Sequence, residues 1–220
     1  MALSLPEVLG LLQAQARPDQ LDAMARFGLT GAQRLGLSVP NLRALGKQIG
    51  PDHGLALALW DTAIPDAQIL ASLLAEPARF TSAQMDHWTE GMQAWDVCDQ
   101  ACLNAFRRSP LAWARLPVWA VQPQEFVKRA AFSLLAVMAV HDKQRPDADF
   151  IAMLPLIAAA ADDERNFVKK SVNWALRQIG KRSALLRPES IALAEKLSLR
   201  PEKSARWIAA DALRELRPKP

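Results

Sequence analysis

The chain has 220 residues, half of them hydrophobic, with 27 Lys and Arg against 23 Asp and Glu and a formal net charge of +4. That length supports a sizeable core, and that apolar content excludes an intrinsically disordered chain. Ala and Leu dominate, Tyr is absent and β-branched residues are sparse, which favours helix over strand.

Amphipathic segments closed by Pro, Gly or a short polar cluster predict helices at 5–16, 18–27, 30–35, 40–49, 53–62, 65–76, 82–91, 95–108, 124–141, 147–161, 164–180, 188–197 and 202–216. Start signals support several of them: Ser4 before Pro6 and Glu7, Ser38 before Pro40, Asp147 before an apolar run, Pro188-Glu189 and Pro201-Glu202. No segment keeps the period-2 alternation of a strand. The longest break, 109–123, is rich in Pro and Trp, and reads as an ordered connection with one helical turn. Short linkers between about twelve helices leave a bundle or a stack of antiparallel helix pairs. Pairs recurring every 35–45 residues from about residue 40 favour the HEAT or armadillo type of stack, as one domain spanning 1–220.

The apolar stretches 132–140 and 151–161 are too short to span a bilayer, and no signal peptide is expected. Cys98 and Cys102 are the two cysteines, four apart on one predicted helix, where a disulfide is geometrically awkward. A reducing cytoplasm fits them, and without a nearby His they do not suggest a metal site. His53, His87 and His141 are scattered and form no ligand set. No GxSxG, Walker, HExxH or GxGxxG motif is present.

Charge is distributed unevenly. Residues 163–220 hold fourteen Lys/Arg and seven Asp/Glu, whereas 1–162 are net negative by three. A basic C-terminal quarter suggests a polyanionic partner, with a solvated basic surface as the alternative.

Four segments carry the candidate chemistry. In Trp95-Asp96-Val97-Cys98-Asp99, helical spacing puts Trp95, Asp99, Cys102 and Phe106 on one stripe. A carboxylate among such residues needs a buried partner or a cleft, because burying an unpaired charge is costly. Asp96 lies off the stripe and is expected to face water. In 166–183, Lys170, Arg177 and Lys181 share a face with Trp174 beside them, a pattern that can follow a phosphate backbone or belong to a solvated face. In 125–141, a helix apolar nearly all round, Arg129 shares a face with Phe126, Ser133, Val137 and Val140. Such an Arg pairs with a carboxylate, for which Asp99 is the candidate, or with a phosphate, unless it snorkels to solvent. In 36–50, Arg43 and Lys47 lie at i,i+4 beside a helix N-terminus. Trp60, Trp88, Trp113, Trp119 and Trp207 read as core or boundary residues.

In order along the chain, GLSVPNLRALGK (36–47), LALALWDT (55–62), WDVCD (95–99), FVKRAAFSLLA (126–136) and FVKKSVNWALRQIGK (167–181) resemble the AlkD-like DNA alkylation repair family, the HEAT-repeat alkylpurine DNA glycosylases. The resemblance covers about residues 35 to 183. It implies a helical solenoid holding duplex DNA on a basic concave face, and hydrolysis of the N-glycosidic bond of N3- or N7-alkylated purines without metal or cofactor. It further implies that Trp95, Asp99 and Trp174 line the catalytic cleft with Arg129 nearby, and the helix faces above make Arg43, Lys47, Lys170, Arg177 and Lys181 the expected DNA-binding residues. In this family the lesion need not be flipped into a deep pocket, unlike the common glycosylase route. The expected agent is a cytoplasmic monomer acting on alkylated duplex DNA; a non-catalytic scaffold for DNA or a protein is the alternative. Where many relatives carry Glu and Arg after LWDT, this chain has IPDAQILA, with Asp66 and Gln68.

Overall fold

The computed structural model describes residues 3–31 and 33–217. Thirteen α-helices are found among them: α1 (Leu5–Ala14), α2 (Leu21–Arg26), α3 (Val39–Ile49), α4 (His53–Trp60), α5 (Pro65–Leu74), α6 (Ser82–Glu90), α7 (Trp95–Asn104), α8 (Ala112–Ala120), α9 (Glu125–His141), α10 (Asp147–Ala160), α11 (Asn166–Arg182), α12 (Leu186–Ser198) and α13 (Lys203–Leu216). Short 3-10 turns precede α2 and α6 and follow α7, and the described residues contain no strand. Packing divides the chain into two compact units, the first ending at Ala112 and the second starting at Trp113.

The start signals act as their chemistry requires. Ser4 donates from its backbone N and Oγ to the Glu7 carboxylate at 2.7 and 2.6 Å, and Ser38 Oγ accepts from Asn41 N at 3.3 Å. Each satisfies polar groups that the first turn of a helix leaves open.

Two expectations fail. The described residues of 30–35 form no helix, and Ala32 lies outside the described residues. Positive φ at Gly31 (137°), Gln33 (60°) and Gly36 (83°) is incompatible with a right-handed helix there. In place of a helix, Leu35 N and Leu37 N donate to the two carboxylate oxygens of buried Asp66 at 2.7 and 2.8 Å. Asp66 stands in the first turn of α5, where the helix dipole favours a negative charge. The connection 109–123 holds more than one turn: α8 has nine residues, with Pro117 inside it.

In the first unit α5 packs on both α3 and α7, and α4 carries Trp60 stacked on Trp88 of α6 with centroids 4.0 Å apart. In the second unit α9, α11 and α13 pack side by side, while Trp113 of α8 meets Phe150 of α10 edge-on and α10 packs on α12. Hydrogen bonds fix the register. Lys128 meets Asp163, Arg129 meets Phe167 and Arg182 meets Ala139; Asn173, Arg177 and Lys181 meet Asp211 and Glu215. Residue numbers rise together across each interface, so α9, α11 and α13 run parallel, as equivalent helices of successive pairs do. α11 is the middle member, packed on both α9 and α13, and twelve residues of α9 are buried, in keeping with its apolar sequence.

Candidate active site and nucleic-acid interface

Trp95 opens α7, half-buried, and its indole Nε1 donates to the Phe27 carbonyl at 3.0 Å. Asp99 follows one turn later, also half-buried, and the stripe continues into fully buried Cys102 and Phe106. The stripe therefore runs from the surface at Trp95 into the core at Phe106. Asp99 sits where the two meet, accessible to solvent in part.

Asp96 corrects the sequence reading. It does not face water; it is 8% exposed and receives both prongs of the Arg34 guanidinium, Nη1 to Oδ2 at 2.8 Å and Nη2 to Oδ1 at 2.9 Å. Helical spacing placed Asp96 off the core stripe. It does not register the loop before α3, which folds over the start of α7 and supplies Arg34. The two acids of 95–99 thus differ in burial: Asp96 lies in a buried ion pair with Arg34, and Asp99 is half-buried.

In the second unit Arg129 is 5% exposed, so it does not snorkel; its Nη1 donates to the Phe167 carbonyl at 2.7 Å. Phe126, one turn earlier, stacks on Phe167, which ties α9 to the start of α11. Trp174 is half-buried on α11. The Gln178 amide, oriented to satisfy its neighbours, accepts from Trp174 Nε1 at 3.2 Å and from Lys181 Nζ at 3.1 Å.

The basic stripe of α11 is divided. Lys170 is exposed, and no carboxylate among the described residues pairs with it. Arg177 donates to Asp211 and Glu215, and Lys181 donates to Glu215 at 2.6 Å. Burial works to raise the Glu215 carboxyl, but hydrogen bonds from Arg177 and Lys181 outweigh it and hold the group below its usual range. Two of the three cations on this face are therefore balanced by acids of α13. Arg43 and Lys47 are both exposed on α3, and Arg43 Nη2 reaches the amide oxygens of Gln100 and Asn104 on α7 at 3.1 and 3.3 Å.

With this geometry in place, the comparison with known families is decisive: the model of the family described as DNA alkylation repair enzyme matches residues 8–216. The chain belongs to that family. Among solved structures, this DNA alkylation repair family member is similar to one described as "a new family of proteins related to the HEAT-like repeat DNA glycosylases with affinity for branched DNA structures". The two are 17% identical with a TM-score of 0.79, over 97% of this chain and 96% of that one. The HEAT-like fold is thereby shown. A designed armadillo repeat protein in complex with the peptide (KR)4 is similar at a TM-score of 0.47 and 15% identity, over 98% of this chain and 100% of that one. No curated protein matches.

Sequence reading of this family member missed Arg34, Asp66, Asp211 and Glu215. For the last two a signal existed: acids at i,i+4 on α13 mirror the cations at i,i+4 on α11. For Arg34 and Asp66 none did, since each acts on a segment about thirty residues or more away along the chain. Among the described residues, no helix is long and apolar enough to cross a membrane.

Proposed function

We propose that this protein, acting as a monomer, hydrolyses the N-glycosidic bond of N3- and N7-alkylated purines in duplex DNA. One observation carries the reading: in a chain of the DNA alkylation repair family, the Asp99 carboxylate lies half-buried on α7, one turn from the half-buried indole of Trp95. An alkylated purine of this kind is cationic. Its bond to C1′ breaks with the electron pair passing to the ring, and the base leaves neutral. The sugar is left as an oxocarbenium ion, which the Asp99 carboxylate stabilises. Water then bonds to C1′ and gives its proton to Asp99 or to bulk solvent.

Trp95 is assigned the indole face that holds the cationic sugar beside Asp99, and Trp174 of the second unit an indole face that packs on a sugar or base. Arg129 of the second unit is assigned as a guanidinium suited to phosphate. The reaction calls for no metal or cofactor, because the leaving base already carries the charge that a Lewis acid would otherwise supply. Arg43, Lys47 and Lys170 are the exposed cations assigned to the DNA backbone, and Arg177 and Lys181 join them only by sharing their charge with Asp211 and Glu215.

A second reading is binding without base release. It is favoured by the similar protein of solved structure, described as having affinity for branched DNA. Incubation with methylated duplex DNA and chromatography of the released bases separates the two. Free 7-methylguanine or 3-methyladenine supports excision. Tight binding with no released base establishes the second reading.

A further inference from the structure

In the first unit, a cleft of about 330 Å3 is lined by Arg43 of α3, Leu73 of α5, Leu103 and Asn104 of α7, and Arg107 and Arg108 from the 3-10 turn that follows α7. Three guanidinium groups share this small volume, and among the described residues none of them pairs with a carboxylate. The contrast with other arginines is sharp: Arg34 has Asp96, Arg165 has Asp163, Arg177 has Asp211 and Glu215, and Arg182 has Asp147.

The acceptors these three do have are neutral. Arg43 Nη2 meets the Gln100 and Asn104 amides; Arg107 Nε meets the Leu103 carbonyl at 2.6 Å; Arg108 Nε and Nη2 meet the Asn104 carbonyl at 3.1 and 2.9 Å. Capping the end of α7 accounts for part of this, since cations are favoured at helix C-termini. It does not account for Arg43, which comes from another helix. Among the described residues it also leaves Nη1 and Nη2 of Arg107, Nη1 of Arg108 and Nε and Nη1 of Arg43 without acceptors, on a wall lined by no acidic residue. Guanidinium groups with spare forked donors match the oxygens of phosphate.

We propose that the Arg43, Arg107 and Arg108 cleft is a phosphate-binding site that takes a backbone phosphate of the bound DNA. The proposal rests on the DNA-binding part of the reading above and deepens it. It adds Arg107 and Arg108, which that reading does not use, and it gives Arg43 a defined partner.

The test measures the affinity of a lesion-free fluorescent duplex over a series of KCl concentrations, for the wild type and for Arg43→Gln, Arg107→Gln and Arg107→Gln/Arg108→Gln. Loss of one phosphate contact is expected to reduce the slope of log affinity against log salt by about 0.9 and to weaken binding roughly tenfold at low salt. Arg43→Lys, which keeps the charge and loses the fork, is expected to keep the slope and lose part of the affinity. The variants at 107 and 108 also remove caps from α7. Arg43→Gln, exposed and bonded only to neutral amides, carries the test should they fail to fold.

A parallel arm titrates inorganic phosphate against chloride at matched ionic strength and follows backbone amide NMR signals of 103–108. Phosphate-specific shifts that vanish in Arg43→Gln support an oxyanion site. Such shifts with an unchanged salt slope overturn the assignment to a DNA phosphate in favour of free phosphate. Unchanged slopes with no phosphate-specific shifts overturn the site altogether. Base release measured beside these keeps the two ideas separate: a reduced slope without base release retains the cleft and removes the glycosylase reading.

Discussion

The Arg34 guanidinium grips the Asp96 carboxylate with two hydrogen bonds, 2.8 and 2.9 Å long, and both side chains are almost wholly buried. This pair joins the loop before α3 to the first turn of α7, the helix that bears Asp99. Trp95 makes the same connection through the Phe27 carbonyl. The position of α7, and with it that of Asp99, is thus held by a segment that a helix prediction had misassigned.

Breaking a buried pair from one side leaves the other charge stranded, at about 3–5 kcal/mol. Asp96→Asn is accordingly expected to lower stability by about 3 kcal/mol, read from the urea midpoint at unchanged m-value. Asp96→Asn retaining full stability would show that Arg34 finds another partner at no cost.

Asp99→Asn removes the charge proposed to stabilise the sugar cation while preserving the shape of the side chain. Base release is expected to fall by a factor on the order of 10²–10³, in the range of a lost electrostatic contact in the transition state. Affinity for the methylated duplex is expected to stay nearly constant. Single-turnover rates and binding isotherms of both proteins make the comparison; equal rates would remove Asp99 from the chemistry.

Two cations of the α11 stripe, Lys170 and Arg177, are expected to respond differently. Lys170→Ala takes away an exposed, unbalanced charge, and the salt slope of DNA binding should drop by about 1 with no change in thermal midpoint. Arg177→Ala leaves Asp211 and Glu215 facing each other's charge across less compensation, so its main effect should be a lower midpoint. A salt slope identical to wild type for Lys170→Ala would locate the backbone path elsewhere.

Acid stability offers a check within the second unit. Hydrogen bonds from Arg165, aided by Lys128 and opposed by burial, hold the Asp163 carboxyl at about 2 against a usual 3.8. The folded pKa is the lower one, so this contribution is present in full above pH ~4 and disappears as pH falls toward about 2. Asp163→Asn should be less stable than wild type at neutral pH, and the gap should close through that window. A gap that stayed constant down to pH ~2 would mean that the Asp163 charge does not stabilise the fold.

Gly180 tests how closely the helices approach. A Cβ there would stand 2.6 and 2.8 Å from the Leu216 methyls and 2.9 Å from Ser190 Cβ. Ala is favoured over Gly in a helix by about 1 kcal/mol, but overpacking costs about 1–3 kcal/mol. Gly180→Ala should therefore destabilise the protein in thermal unfolding, despite the better helix former.

By itself the sequence determined the helical class, most helix positions, the caps at Ser4 and Ser38 and the burial of α9. These follow from interactions among residues within a few positions of one another, where periodicity and capping chemistry are directly readable. It also identified 95–99 and 166–183 as unusual, because charge on an apolar stripe and an indole among cations are local patterns. Only the tertiary structure decided that Asp96 pairs with Arg34, that acids of α13 balance Arg177 and Lys181, and that 30–35 is a loop secured by Asp66. Each of those outcomes depends on a partner about thirty residues or more away along the chain, and a helical wheel of one segment carries no information about the neighbour that packs against it.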